Sequence, residues 1–295
     1  MGTILVTGAG GFVGGNVADY LIRNGYQVCG TYHNTEPDIS NGMKKIKVDL
    51  SNKADLEEKI LSANIGQIDA VLHFAAQMVG PNIADYLENT VQSTRNLLAY
   101  ASENNVRTFI YASSIAVYGM TESEVNEKSD RTNLTDYGIA KYICERLLED
   151  AAIKNRITIR LPRMLGGRID LSCPWLPKLT GDLLEHKEIK YFNPNMKYNN
   201  LAHCDALAEF IDALINRKKD GYSLVGIGSS EPEEILEIVK YLKKLTKSQS
   251  SLIEKKAEQR NTCSLIDISK AVSMGYQPMT VKATLEHFIR DLMNV

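Results

Sequence analysis

The sequence predicts a doubly wound α/β fold, in which helices cover both faces of a parallel β-sheet. Short apolar runs rich in β-branched residues alternate with longer segments whose apolar residues recur three and four positions apart. Strands that are apolar throughout are typical of a parallel sheet buried on both faces, and the helices between them are typical of its crossover connections. The predicted strands cover residues 3–7, 27–32, 45–48, 69–75, 108–113 and 157–161.

A glycine-rich turn follows the first strand and opens the first predicted helix. Its glycines, Gly8, Gly11 and Gly14, are spaced three residues apart and enclose Phe12 and Val13. In such a turn one glycine permits the bend, one lets a phosphate approach the backbone, and one lets the helix pack on the strand. The helix N-terminus then attracts the pyrophosphate. The turn therefore predicts a Rossmann-type dinucleotide site.

The character of the chain changes after about residue 161. The following segment is rich in loops and contains the only tryptophan, Trp175, and helical spacing returns only at residues 204–216 and 232–245. We therefore predict a dinucleotide-binding domain at residues 1–165, with a return segment near 201–228. Residues 166–200 and 229–295 are predicted to form a smaller C-terminal α/β cap that binds substrate.

Composition excludes several classes of protein. The 34 basic and 36 acidic residues give a formal net charge of −2, so we expect no nucleic-acid surface. No apolar run is long enough to span a membrane. The five cysteines are scattered without a CxxC pair, which is typical of a reducing cytosol, and with the five histidines they show no metal-ligand spacing. We expect a cytoplasmic protein without a bound metal.

The end of the second strand bears on the choice of cofactor. An acidic residue at this point usually binds the adenosine ribose of NAD and would repel the 2′-phosphate of NADP. This strand instead ends through Tyr32, His33 and Asn34, with no carboxylate before Glu36. The sequence therefore favours NADP, with NAD possible. Asp49 follows the third strand and is either an adenine contact or a loop or N-cap acid.

Further motifs resemble a known family. "FIYASSIAVYG" precedes "DYGIAK" by about twenty residues, and "TGAGGFVG", "VDL" and "HFAA" stand upstream of both. Together they resemble the extended short-chain dehydrogenase/reductase family, in its NAD-dependent epimerase/dehydratase group, whose members act on nucleotide-linked sugars. Segments at 199–211 and 267–278 are similar to elements of the same group, so the resemblance covers nearly the whole chain. It implies a homodimer and further cofactor contacts from Leu50, Phe74, Ala75, Ala76 and Pro162.

The catalytic residues that the resemblance implies are Ser114, Tyr137 and Lys141. Tyr137 and Lys141 are one helical turn apart, so they project from the same face, and the ammonium is expected to lower the pKa of the phenol. Tyr137 would exchange a proton with a sugar hydroxyl or ketone while hydride moves to or from the nicotinamide. Lys141 would also bind the nicotinamide ribose, and Ser114 would hold the substrate oxygen.

Substrate contacts are expected from three further residues. Asn89 resembles a family position near the active site, or it is an amide on a helix surface. Arg163 replaces an asparagine that many epimerases carry, and it could bind a phosphate or carboxylate or form a salt bridge. Arg260 precedes the closing family element as a phosphate-binding arginine does, or it lies on the surface.

The motifs favour one function over three alternatives. Dehydratases of this group commonly carry Thr-Asp-Glu where this chain has Ser114-Ile115-Ala116, and the last two residues supply neither acid nor base. Because of Arg163 and the missing ribose-binding acid, we predict an NADP-dependent ketoreductase that acts on a nucleotide-linked 4-keto sugar. The alternatives are a nucleotide-sugar 4-epimerase with the same catalytic residues and a non-catalytic NADP-sensing regulator.

Overall fold

A computed structural model describes residues 2–38, 42–80, 82–121, 124–217, 219–256 and 264–293. Its main element is a seven-stranded parallel sheet, which confirms the predicted doubly wound α/β fold. The strands of this sheet are β1 (Thr3–Thr7), β2 (Gln27–Tyr32), β3 (Met43–Lys47), β4 (Ile68–His73), β5 (Thr108–Ser114), β6 (Asn155–Leu161) and β11 (Gly221–Gly226). Each of the six predicted strands is present, with ends shifted by at most two residues.

The order of the strands determines where a ligand can bind. From one edge to the other, the order is β3, β2, β1, β4, β5, β6 and β11. The chain first builds outward from β1 to β3 and then continues on the other side of β1 with β4. In open parallel sheets, ligands bind at the carboxyl ends of the strands where the order reverses in this way. Here that point lies between β1 and β4.

The seventh strand was missed by the sequence analysis, although it falls within the predicted return segment. β11 pairs with β6 from Gly221 opposite Asn155 to Gly226 opposite Arg160. Its sequence, GYSLVG, has glycine at both ends and a half-buried first part, so it lacks the continuous apolar run of the other strands. The predicted domain boundaries themselves stay a prediction.

Helices pack on both faces of the sheet. One face is covered by α1 (Phe12–Arg23) and α7 (Cys204–Asn216), and the other by α2 (Lys53–Ser62), α4 (Ser93–Glu103) and α5 (Asp136–Glu149). Each face of the sheet has its own apolar core. A π-helical turn (Leu87–Gln92) joins α3 to α4, and a 3-10 turn (Ile115–Tyr118) follows β5. The helices are α1 (Phe12–Arg23), α2 (Lys53–Ser62), α3 (Ile83–Tyr86), α4 (Ser93–Glu103), α5 (Asp136–Glu149), α6 (Leu176–Leu184), α7 (Cys204–Asn216), α8 (Ile235–Leu245), α9 (Ser269–Ser273) and α10 (Val281–Met293).

A third apolar core lies beyond the sheet. It is formed by α6, α8 and α10 together with short strand pairs, and it includes Leu183, Leu242 and Phe288. The short strands are β7 (Arg163–Leu165), β8 (Ile189–Tyr191), β9 (Lys197–Tyr198), β10 (Leu201–His203), β12 (Glu233–Glu234) and β13 (Leu252–Glu254). These elements stand beside the carboxyl ends of the main strands. Among the described residues, no helix is long and apolar enough to cross a membrane.

Candidate active site

A large cleft of about 2320 Å³ lies between the carboxyl ends of the main strands and the C-terminal elements. Its lining contains every predicted site residue except Arg260, which lies outside the described residues. The predicted residues brought together there are Gly8, Gly11, Phe12, Val13, Gly14, Tyr32, His33, Asn34, Asp49, Leu50, Phe74, Ala75, Ala76, Asn89, Ser114, Tyr137, Lys141, Pro162 and Arg163.

The glycine turn forms a bare cradle at the start of α1. A Cβ atom added at Gly14 would lie 2.4 Å from the carbonyl oxygen of Gly8, so only glycine permits this close approach. The N-cap of α1 is Gly11, which offers no side chain to the first turn. The amide groups of that turn therefore remain available to an anion, and the turn fits the pyrophosphate of a dinucleotide.

The end of β2 differs from what the sequence predicted. Glu36 lines the cleft beside Tyr32, whose hydroxyl donates to its Oε2 at 3.4 Å. Lys45 forms an ion pair with the other oxygen of this carboxylate at 3.2 Å. A carboxylate is therefore present next to the expected ribose position, although it comes from further along the chain. This placement removes the main argument for NADP over NAD.

Asp49 is a loop acid in the cleft wall. Its Oδ1 accepts hydrogen bonds from the backbone N–H of Ser51 at 2.9 Å and from the hydroxyl of the same residue at 2.7 Å. These bonds hold the pKa of Asp49 below its ordinary value. The N-cap of α2 is Asn52, so the N-cap interpretation of Asp49 is wrong.

Ser114 and Tyr137 are brought together by the packing of α5 against the turn after β5. Thr135 caps α5 by accepting from the N–H of Gly138 at 3.2 Å. A Cβ added at Gly138 would lie 2.5 Å from the carbonyl oxygen of Ala116, so glycine lets the first turn of the helix meet the 3-10 turn. The Ser114 hydroxyl consequently lies close enough to the phenol of Tyr137 to lower its pKa.

The pKa of Tyr137 is shifted in the direction opposite to the prediction. Burial raises it to about 12, and the neighbouring Tyr86 adds to the rise. The groups that lower it are Ser114, through its hydrogen bond, and Arg163, through its charge. The predicted lowering by Lys141 is wrong here, because its ammonium, 5.7 Å from the centre of the Tyr137 ring, is not among the groups that act on the phenol.

Lys141 is buried at the back of the site. Its Nζ donates to the carbonyl oxygen of Ala112 at 2.8 Å and lies 4.9 Å from the centre of the Tyr111 ring. Burial lowers the pKa of Lys141 to about 8, while Cys144 and Glu145 act in the opposite direction. The ammonium is therefore charged at neutral pH but close to its titration range.

A buried ion pair supports this wall and was missed by the sequence analysis. Arg160 on β6 donates from Nε and Nη2 to the two carboxylate oxygens of Glu145 on α5, at 2.9 and 2.7 Å. Ser113 donates to the same carboxylate at 2.6 Å. Ser113 is thus committed to this pair, whereas Ser114 faces the cleft. The available signal was the arginine within an otherwise apolar strand, because a buried charge requires a partner.

Asn89 and Arg163 reach the cleft from different elements. Asn89 is exposed on the π-helical turn. Arg163 begins β7 and is half-buried, and its backbone N–H donates to the carbonyl oxygen of Asn200 at 3.3 Å. Across the part of the chain that the structure describes, its guanidinium forms neither an ion pair nor a hydrogen bond. The structure therefore shows no salt bridge of Arg163 within that part of the chain.

The C-terminal elements contribute Trp175, which lies in the predicted substrate-binding region, and further residues that sequence reasoning did not assign to the site. Trp175 packs edge-on against Tyr198 with ring centres 5.9 Å apart, and its buried Nε1 has no hydrogen-bond partner among the described residues. Lys190, Lys255 and Lys256 line the same part of the cleft. Strands β8 and β13 pair in parallel there, which brings these lysines together from distant positions in the sequence.

Two histidines and two aspartates meet outside the cleft, although the sequence showed no metal-ligand spacing among its histidines and cysteines. His203, Asp205 and His287 place potential ligand atoms within 4.8 Å of one another. The imidazoles stack with centres 3.9 Å apart. His203 accepts from the N–H of Asp205 at 3.2 Å, and its other nitrogen lies 3.1 Å from the carboxylate of Asp291. Both nitrogens of His203 are therefore already engaged, and the cluster joins α7 to α10.

Known proteins are similar to this chain along its length. It is 25% identical to an uncharacterized UDP-glucose epimerase of Bacillus subtilis, over 94% of this chain and 93% of the relative. A UDP-glucuronic acid 4-epimerase from Bacillus cereus, in complex with UDP-glucuronic acid and NAD, superposes with a TM-score of 0.82 at 25% identity and 99% coverage of both chains. A UDP-glucose 4-epimerase of Thermotoga maritima shares the fold, with a TM-score of 0.85, 21% identity and 99% coverage of both chains.

The family assignment follows from a further match. The family model described as NAD dependent epimerase/dehydratase family matches residues 4–228, which is most of the chain. These residues include the glycine turn, Ser114, Tyr137 and Lys141, which are the motifs on which the resemblance was recognised. The chain therefore belongs to the NAD-dependent epimerase/dehydratase family.

Proposed function

We propose that the protein is an NAD-dependent 4-epimerase that acts on a nucleotide-linked sugar. The observation that carries the proposal is the single cleft in which Ser114, Tyr137 and Lys141 stand beside the glycine turn. The similarity of the whole chain to a UDP-glucose epimerase and to a UDP-glucuronic acid 4-epimerase supports epimerisation over the ketoreductase reaction that the sequence favoured. Glu36 in the cleft also weakens the cofactor argument for a ketoreductase.

The cleft fits NAD. The first turn of α1 would hold the pyrophosphate, and Tyr32 and Glu36 would meet the adenosine ribose. Lys141 would donate to the nicotinamide ribose. When bound, NAD supplies a hydride acceptor that can return the hydride, so that an epimerase needs no net supply of reductant. The Bacillus cereus structure contains NAD, which agrees with this choice.

The proton chemistry rests on the side chains of this chain. Tyr137 would take the proton of the sugar hydroxyl as a hydride leaves the same carbon for the cofactor. After the keto sugar turns its other face to the cofactor, the hydride would return to that face and Tyr137 would give the proton back to the oxygen, which Ser114 holds in line. Burial keeps the phenol protonated at neutral pH, while Ser114 and the charge of Arg163 act in the opposite direction and favour the phenolate. Ile115 and Ala116 offer no acid or base, so the site does not support an elimination.

The test is turnover of UDP-linked sugars by the purified protein. We expect interconversion of C4 epimers without net consumption of NADH or NADPH. Stoichiometric oxidation of NADPH in the presence of a nucleotide 4-keto sugar would instead identify a ketoreductase, and cofactor binding without any turnover would identify a regulator.

A matched pair of variants tests the role of the phenol. Tyr137→Phe should lower kcat roughly 100- to 10,000-fold and leave NAD affinity nearly unchanged, because it removes only the proton-transferring group. Tyr142→Phe removes a phenol from the same helix outside the cleft and serves as the control. Equal activity of the two variants would contradict the proposed mechanism.

The homodimer implied by the family resemblance stays a prediction. Sedimentation of the purified protein at several concentrations would measure it directly. The cytoplasmic location that the sequence suggested is likewise a prediction.

A further inference from the structure

Arg163 places a half-buried positive charge in the cleft. Arg163 begins β7, directly after Pro162, and its half-buried guanidinium lines the cleft. Leu161, two residues before it, pairs with Ser114 across β6 and β5, so Arg163 stands at the end of the cleft where the sugar ring reacts. Its charge also reaches the phenol of Tyr137. Among the described residues no carboxylate pairs with it. A partly desolvated charge without a partner favours binding of an anion.

Two anions of a nucleotide sugar could meet this guanidinium: the diphosphate, or an acidic group on the sugar itself. The diphosphate has other candidate partners, because Lys190, Lys255 and Lys256 line the part of the cleft formed by the C-terminal elements. Trp175 and Tyr198 lie in the same part and offer aromatic surface to a nucleotide. These lysines and aromatic rings offer the nucleotide and its phosphates partners other than Arg163.

We propose that the sugar subsite takes a hexuronic acid and that Arg163 determines this specificity by binding its carboxylate; this inference rests on the proposed function. The carboxylate of a hexuronic acid is attached to the carbon next to C4, so it lies beside the carbon at which Tyr137 acts. A guanidinium binds a planar carboxylate with two parallel hydrogen bonds. A neutral hexose offers only a hydroxymethyl group there and leaves the guanidinium without its counter-charge, which selects against it.

The test compares the binding of three ligands by calorimetry: UDP, UDP-glucose and UDP-glucuronate. The NAD-loaded wild-type protein should bind UDP-glucuronate roughly 10- to 100-fold more tightly than UDP-glucose. In Arg163→Gln this ratio should fall to about 1, with UDP affinity unchanged. Arg163→Lys should retain part of the preference, because an ammonium keeps the charge but not the paired hydrogen bonds.

Lys255→Gln is the matched control, since it removes one positive charge from the cleft lining at a residue other than Arg163. This variant should lower the affinity for all three ligands by a similar factor and preserve the ratio between the affinities for UDP-glucuronate and UDP-glucose. If Arg163→Gln instead weakens UDP as much as UDP-glucuronate, Arg163 binds the diphosphate and the inference is wrong.

The outcomes separate this inference from the proposed function. Epimerisation of UDP-glucose with no preference for UDP-glucuronate would overturn the inference and leave the 4-epimerase proposal standing. Tight, Arg163-dependent binding of UDP-glucuronate without interconversion of any epimers would support the inference on specificity and refute the 4-epimerase proposal.

Discussion

Two arginines three residues apart occupy opposite environments. Arg160, on β6, is fully buried, and its guanidinium forms two hydrogen bonds to Glu145 and lies 4.8 Å from the centre of the Tyr118 ring. Arg163, on β7, is half-buried in the cleft and has no ion pair among the described residues. The chain passes from the interior of the sheet to its carboxyl edge between these two positions.

The difference separates a charge that holds the structure from one that is available to a ligand. The surroundings of Arg160 satisfy its donors, so its removal leaves the carboxylate of Glu145 buried and uncompensated. Within the described part of the chain the guanidinium donors of Arg163 have no partner, so its removal should affect binding far more than folding. Lys141 is intermediate between the two arginines. Its ammonium is buried like the guanidinium of Arg160, but it donates to a carbonyl oxygen rather than to a carboxylate.

The largest expected effect on folding is that of Arg160→Met. Breaking a buried ion pair from one side should lower the free energy of unfolding by about 3–5 kcal/mol, measured by urea unfolding near neutral pH. The double variant Arg160→Met with Glu145→Leu is the control and should recover most of this loss, because it buries no unpaired charge. A single-variant loss below about 1 kcal/mol would show that the pair is not structural.

Replacing Lys141 should have a smaller, pH-dependent effect. Its pKa in the folded protein, about 8, is below its ordinary value of 10.5. Between these two pKa values the folded form therefore binds fewer protons than the unfolded form. The destabilisation caused by burying the ammonium is complete below about pH 8, and it disappears as the pH rises towards 10.5. Lys141→Met should thus be more stable than the wild type by about 1–3 kcal/mol near pH 7.

The advantage of Lys141→Met should shrink as the pH rises through this range. Urea unfolding of both proteins at several pH values between about 7 and 10 measures the difference. A difference in unfolding free energy that stays constant across the range would contradict the lowered pKa of Lys141. The activity of Lys141→Met should be lost at every pH, since the variant cannot make the proposed contact with the nicotinamide ribose.

The smallest expected effect on stability is that of Arg163→Gln. Because this side chain has no partner among the residues that the structure describes, the free energy of unfolding should change by less than about 0.5 kcal/mol. The same urea experiment measures it beside Arg160→Met. A loss as large as that of Arg160→Met would mean that Arg163 is a structural residue, and the contrast between the two arginines would not hold.

The parts of the molecule that depend on short sequence segments were predictable. The glycine turn requires only local backbone geometry, and Tyr137 and Lys141 lie on one predicted helix. The buried strands were recognisable because a sheet covered on both faces needs continuous apolar runs. For the same reason β11 was missed, since an edge strand with terminal glycines carries little of that signal.

The remaining features depend on contacts between distant segments. The placement of Glu36 in the cleft follows from the path of the loop after β2, which no local pattern determines. The pairing of Arg160 with Glu145 requires α5 to pack on β6 in one particular register. The absence of a partner for Arg163 among the described residues likewise depends on its whole neighbourhood, so the sequence left its role open between a ligand contact and a salt bridge.

The edge strand β3 has a consequence for solubility. It pairs only with β2 among the described strands, so its outer edge carries backbone groups that another chain could pair with. Three of its five residues, Lys44, Lys45 and Lys47, are exposed lysines. Pairing this edge with its copy in a second molecule would bring like charges together, so these lysines protect the sheet from growing into an aggregate beside the cofactor end of the cleft.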